Sequence, residues 1–168
     1  QGNPDMLVGF YAGAAGLTTP NWNGFESQRI DYHGIYEVPN TNATLKYTRS
    51  GEPAKVKITG ATLNEPLELV IPSTIDGFDV TLIENFAFSG EREIVSVTLP
   101  ERLQTIGARA FSGCDALSEI IIPPSVNEIG NRAFENNSSL YRALFMGDAP
   151  PYIGEDVFES ANASFQVE

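Results

Sequence analysis

Apolar and polar residues alternate twice in the first third of the chain and then give way to a longer rhythm. From Ala43 to Thr48, and again from Ala54 to Ile58, every second residue is apolar. Val56 and Ile58 share one face, and Lys55 and Lys57 take the other. Arg49-Ser-Gly-Glu-Pro53 between them carries turn residues, so the stretch predicts a β-hairpin. Beyond it a motif returns. Ile106-Gly-Ala-Arg-Ala-Phe111 reappears as Ile129-Gly-Asn-Arg-Ala-Phe134, preceded by Ile83-Glu-Asn-Phe-Ala-Phe88 and followed by a weaker Ile153-Gly-Glu-Asp-Val-Phe158. The anchoring phenylalanines at 88, 111, 134 and 158 stand 23, 23 and 24 residues apart. A fixed period in this range marks a solenoid.

One repeat reads as a closed circuit of short elements. Leu117, Ile120 and Ile122 point inward, and their alternation marks a short strand that stacks on its equivalent in the next copy. Pro123 ends that strand because it has no N–H to donate. Val126 and Ile129 return to the core as a second extended piece, Gly130 allows a bend, and Ala133-Phe134 predicts a helical turn on the far side. No single unit buries its own apolar face, so at least three must stack. About four are present. Leu69-Val-Ile-Pro72 matches Val97-Thr-Leu-Pro100 and Ile120-Ile-Ile-Pro123. Ser73 to Val80 lengthens the first copy by a loop, and Ser164-Phe-Gln-Val167 reads as a final strand.

Three regions follow. Residues 1–35 lack the repeat and are broken by Gly9, Gly13, Gly16, Pro20 and Gly24, with Phe10, Tyr11, Trp22 and Phe25 among them. They are expected to be irregular, either packing aromatics on the end of the array or forming the remnant of a preceding domain. Residues 36–66 hold the hairpin, which serves as the cap that a solenoid end requires. Residues 67–168 form the array, with a degenerate last copy.

Charge narrows the partners. The 168 residues carry 22 Asp and Glu against 10 Lys and Arg, a net charge of −12. Nucleic acid and anionic lipid both need clustered cations, so neither is expected, and the segments are too short for a membrane-spanning helix. The apolar stretch Met6 to Leu17 has no basic residue before it. It is not read as a signal peptide, and the start at Gln1 is read as that of a mature or trimmed form, any export signal being already removed.

The motif L-x-x-I-x-I-P-x-x-V-x-x-I-G-x-x-A-F, met almost in full from Leu117 to Phe134, resembles the BspA-type (Treponema pallidum type) leucine-rich repeat. The resemblance covers residues 67–168. It implies a short right-handed leucine-rich-repeat solenoid, here a β-rich α/β array of about four repeats of about 23 residues with a hairpin cap. It also implies a non-catalytic secreted or cell-surface protein of bacteria, engaged in adhesion to host or microbial proteins. It supplies no ligand-contact motif.

Chemistry-bearing residues are few. His33 is the only histidine and Cys114 the only cysteine. One imidazole makes neither a metal set nor a triad. Cys114 falls at a small-residue position of the repeat, shared with Glu91 and Asn137, and reads as a small buried hydrophobe. Glu155, Asp156 and Glu159, near Asp148, lack a calcium-loop motif and read as solvated charges. No metal, cofactor or catalytic residue is assigned. The remaining alternatives are a spacer module of a larger surface protein and, less favoured, a hydrolase with an acidic pair.

Geometry offers one candidate surface. With Ile120 and Ile122 inward, Glu119 and Ile121 face outward. Stepping by one repeat sets Val70, Thr98, Ile121 and Leu144 in a column, flanked by Glu68, Ser96, Glu119 and Arg142. β-Branched residues are also what strands favour, and residues 1–35 could fold over the strip. Read functionally, it is a shallow, partly apolar contact strip for a protein partner such as host extracellular matrix. Four strands span about 15 Å at about 4.8 Å per step, whereas a stable interface needs roughly 800 Å² per partner. Weak binding strengthened by loops or many copies is therefore expected.

Overall fold

A computed structural model describes residues 32–41, 43–51, 53–63 and 66–168. Residues 1–31 lie outside it, so most of the stretch read as irregular goes untested. Among the described residues thirteen strands form two sheets, and every buried hydrophobic side chain there joins one core.

The N-terminal layer is antiparallel. β1 (Tyr32–Glu37), β2 (Thr44–Ser50) and β3 (Lys55–Thr62) pair in order. The hairpin β2–β3 is the expected one. β1 is an addition, since Tyr32 to Ile35 fall in the stretch read as irregular. Its alternation is hard to see because Gly34 takes an inward position, where a Cβ would lie 2.4 Å from the ring of Tyr47. Val38, Ala43, Leu45 and Tyr47 join the common core, so this layer closes the N-terminal side of the array.

The remaining strands belong to the solenoid. β4 (Leu67–Val70), β7 (Ile94–Thr98), β9 (Glu119–Ile122), β11 (Arg142–Phe145) and β13 (Gln166–Val167) form a parallel five-stranded sheet. β6 (Phe78–Ile83), β8 (Thr105–Ile106), β10 (Glu128–Ile129) and β12 (Tyr152–Ile153) continue the first sheet from β3, also in parallel. The expected long loop is a small hairpin, β5 (Thr74–Ile75) onto β6. Asp76 and Gly77 at its tip both have positive φ, the geometry of a tight hairpin turn.

The third side corrects the sequence reading. Among the described residues there is no helix, so the α component is absent and the Ala-Phe segment is a pair of reverse turns. Arg132 has φ of 58°, which a right-handed helix cannot contain. Ala133 N–H donates to Gly130 O and Glu135 N–H to Arg132 O. The amide of Phe134 bonds outside its own turn, to Val157 O at 2.8 Å, as Phe111 does to Ala133 O and Phe88 to Ala110 O. The third side is thus a ladder between turns.

Inside, Phe88, Phe111, Phe134 and Phe158 stack with centroids 4.9, 5.3 and 5.5 Å apart and interplanar angles of 11°, 3° and 11°. Gly130 serves contact rather than bending. A Cβ there would sit 2.4 Å from Ala108 N, and Gly107 and Gly154 back onto the preceding turn in the same way.

Candidate functional site

The register of the five-stranded sheet brings the predicted outward residues together. Glu68 pairs with Ser96 and Val70 with Thr98. Val97 pairs with Ile120. Glu119 pairs with Arg142 and Ile121 with Leu144. Because parallel strands stack in register, one residue per turn falls into each column. Val70 is 53 % exposed and Ile121 43 %, Thr98 is exposed, and Leu144 is half-buried.

The flanking column is polar and partly self-satisfied. Arg142 Nη2 donates to Glu119 Oε2 at 2.7 Å, and Glu168 lies 3.9 Å from Nη1. The hydrogen bond to Glu119 and its charge raise the guanidinium above its ordinary pKa. Arg142 is therefore a fixed cation already engaged by its neighbours rather than a free fork. Two apolar residues escaped the sequence reading, Val95 at 39 % exposure and Tyr141 at 46 %. Tyr141 Oη lies 3.5 Å from Glu119 Oε2, which extends the strip sideways. Val95, Ser118 and Tyr141 repeat at the same spacing one residue ahead of the flank, so the signal was present. It was hidden because each residue stands at the edge of its strand or just before it.

The other candidates are structural in character. Cys114 is fully buried, and Sγ lies 3.2 Å from Phe88 O. Burial pushes its thiol up to about 12, the opposite of what a nucleophile needs. Asn137, one repeat on, does the same work with an amide. It is also fully buried, donates from Nδ2 to Phe111 O at 3.0 Å and accepts from Cys114 N at 2.7 Å. His33 is exposed on β1 opposite Thr48. Of the acidic group, Asp156 and Glu159 both face Arg132, at 3.2 and 3.9 Å.

Residues 68–166 match a known family model, the BspA type leucine rich repeat region, in six copies. The chain belongs to the BspA-type leucine-rich repeat family. Solved structures of similar fold include a leucine-rich repeat protein from Bacteroides capillosus, 23 % identical with a TM-score of 0.63, covering 79 % of this chain and 96 % of that one. Another, from Bacteroides ovatus, is 27 % identical with a TM-score of 0.62, covering 78 % of this chain and 36 % of that one. No curated protein matches the chain. In this BspA-type array, the apolar inward positions make the solenoid, and the outward strand positions differ in character from turn to turn.

Proposed function

We propose that the chain is a non-catalytic binding module of a secreted or cell-surface protein, contacting host or microbial proteins through the outward face of its five-stranded sheet. The observation that supports this reading is the strip itself. Val70, Thr98, Ile121 and Leu144 stand in register on a parallel sheet, with Val95 and Tyr141 alongside. Apolar side chains set side by side and exposed to water offer contact area to a partner. Family membership supports the same reading. The strip is small beside the roughly 800 Å² per partner of a stable interface, so a single copy binds weakly and display in many copies supplies avidity.

The test is binding of the intact chain, monomeric and on a multivalent support, to extracellular-matrix proteins and mucins, beside the double variant Ile121→Glu with Leu144→Glu. Loss of binding in the folded variant supports the strip. Binding that survives moves the site elsewhere on the molecule. No binding to any of these on the multivalent support favours a spacer role instead.

A further inference from the structure

The third side of the solenoid turns two left-handed corners in each repeat. At the second corner stand Gly90, Gly113, Asn136 and Ser160, the small residues that this backbone region selects. At the first stand Phe86, Arg109, Arg132 and Asp156, with φ of 62°, 52°, 58° and 55°. Glycine adopts this geometry with no Cβ penalty, so a large side chain there gains nothing from the backbone. The chain nevertheless keeps three large side chains in a row, Phe86, Arg109 and Arg132, one per turn, with Asp156 at the same corner of the next turn. With Asn131 and Glu155 they line an open groove of about 380 Å³.

Ion pairing explains only part of the row. Arg132 bridges Asp156, Glu135 and Glu159 and so ties turns together. Phe86 is 55 % exposed, with the Arg109 guanidinium 5.9 Å from its ring centre. Arg109 approaches Glu135 at 3.4 Å through Nε, an atom that is buried with no hydrogen-bond partner among the described residues. Asn131 spends its Oδ1 on the amide of Glu155 at 3.0 Å, which leaves the two donors of its Nδ2.

The groove therefore sets a flat apolar ring, guanidinium and amide donors, and carboxylate acceptors side by side. That mixture discriminates between ligand classes. A multiply charged anion meets Glu155 and Asp156 in a protein of net charge −12. A cation meets Arg109 and Arg132. An apolar ligand would strip water from donors and acceptors without replacing their bonds. Sugar hydroxyls both donate and accept, and the C–H face of a sugar ring matches the electron-rich face of an aromatic ring. We propose that this groove binds a neutral saccharide unit, its ring on Phe86, with Arg109 and Asn131 donating to its hydroxyls and Glu155 accepting from them. The groove is open rather than enclosed, so affinity per unit is low.

The experiment is saturation-transfer difference NMR of the intact chain with cellohexaose, maltohexaose, mannohexaose and chitotetraose. It is run beside Phe86→Gly, Arg109→Gln and the strip variant Ile121→Glu with Leu144→Glu. Transfer concentrated on the C–H protons of one ring face, lost in Phe86→Gly and in Arg109→Gln but kept in the strip variant, is the expected result. If Phe86→Gly fails to fold, Arg109→Gln decides. No transfer from any of the four sugars, or transfer that survives the substitutions at residues 86 and 109, overturns the proposal. Retention in the strip variant keeps this outcome separate from the test of the sheet face.

Discussion

The phenylalanine column and the outward strip are built by the same operation, one residue per turn set in register on its neighbour, yet they differ in kind. Phe88, Phe111 and Phe134 are fully buried and stack with nearly parallel rings. Each middle ring is bounded above and below by another ring. A change of size in one turn leaves a gap or a clash in two, because protein interiors are close-packed. The strip holds Val70, Thr98, Ile121 and Leu144 in equivalent positions, and solvent bounds it on one side. Repetition within one chain therefore marks where packing is constrained. Variation at equivalent positions marks where it is not, and where a partner can be accommodated without cost to the fold.

The largest effect should come from breaking the inner column. Phe111→Ala is expected to cost about 3–5 kcal/mol, a large share of the roughly 5–15 kcal/mol that holds a domain together. Urea unfolding followed by circular dichroism measures it. A loss below about 1 kcal/mol, less than the burial of a phenylalanine side chain alone supplies, would mean that the ring is not packed in the stack as described.

Next comes the polar ladder beside that column. Asn137→Ala removes two buried hydrogen bonds, to Phe111 O and from Cys114 N, and is expected to cost about 2 kcal/mol in the same assay. A neutral outcome would show that water replaces the amide.

Cys114, the equivalent position one turn earlier, should reveal itself through pH. Burial raises its thiol from an ordinary 9.0 to about 12. The unfolded chain therefore loses this proton at lower pH than the folded chain. The associated stability is present below about pH 9 and is lost as pH rises toward 12. Tyr47, 4 % exposed, acts in the same direction, its hydroxyl raised by burial and by the 2.6 Å hydrogen bond to Asp76. Urea midpoints should hold up to about pH 9 and then fall, with a shallower fall in Cys114→Ala. Labelling by a maleimide at pH 7.5 should be slow in buffer and fast in urea. Rapid labelling of the folded chain would contradict the buried assignment.

The smallest effect belongs to the strip. Ile121→Ala is expected to change stability by less than about 0.5 kcal/mol, despite the residue's place on a central strand. A cost comparable with Phe111→Ala would mean that the strip packs against something and is not a free face.

Much of this was legible before folding. The period located the stacked phenylalanines, and alternation separated Ile120 and Ile122 from Ile121, because a strand turns successive side chains to opposite faces. The Asp76-Gly77 turn and the β1 strand were less visible, the first read only as a longer loop and the second masked by Gly34 under the ring of Tyr47. The outward columns were legible from alternation, but the exposed Val95 and Tyr141 beside them were not, since they sit where the strands begin.

By itself, then, the sequence determined the repeat, the inward residues and the register, because these depend on spacing along one chain. Only the tertiary structure decided the third side. Gly-Asn-Arg-Ala-Phe has no local feature that forbids a helical turn, yet Arg132 is left-handed and the amide of Phe134 bonds to Val157 rather than within its own turn. The acceptor that wins lies in a neighbouring turn, about one repeat away, and no local propensity describes it. The same holds for the exposed Phe86, for Arg142 clamped by Glu119 and for the role of Gly130. Each is set by what the adjacent turn presents once the array has stacked.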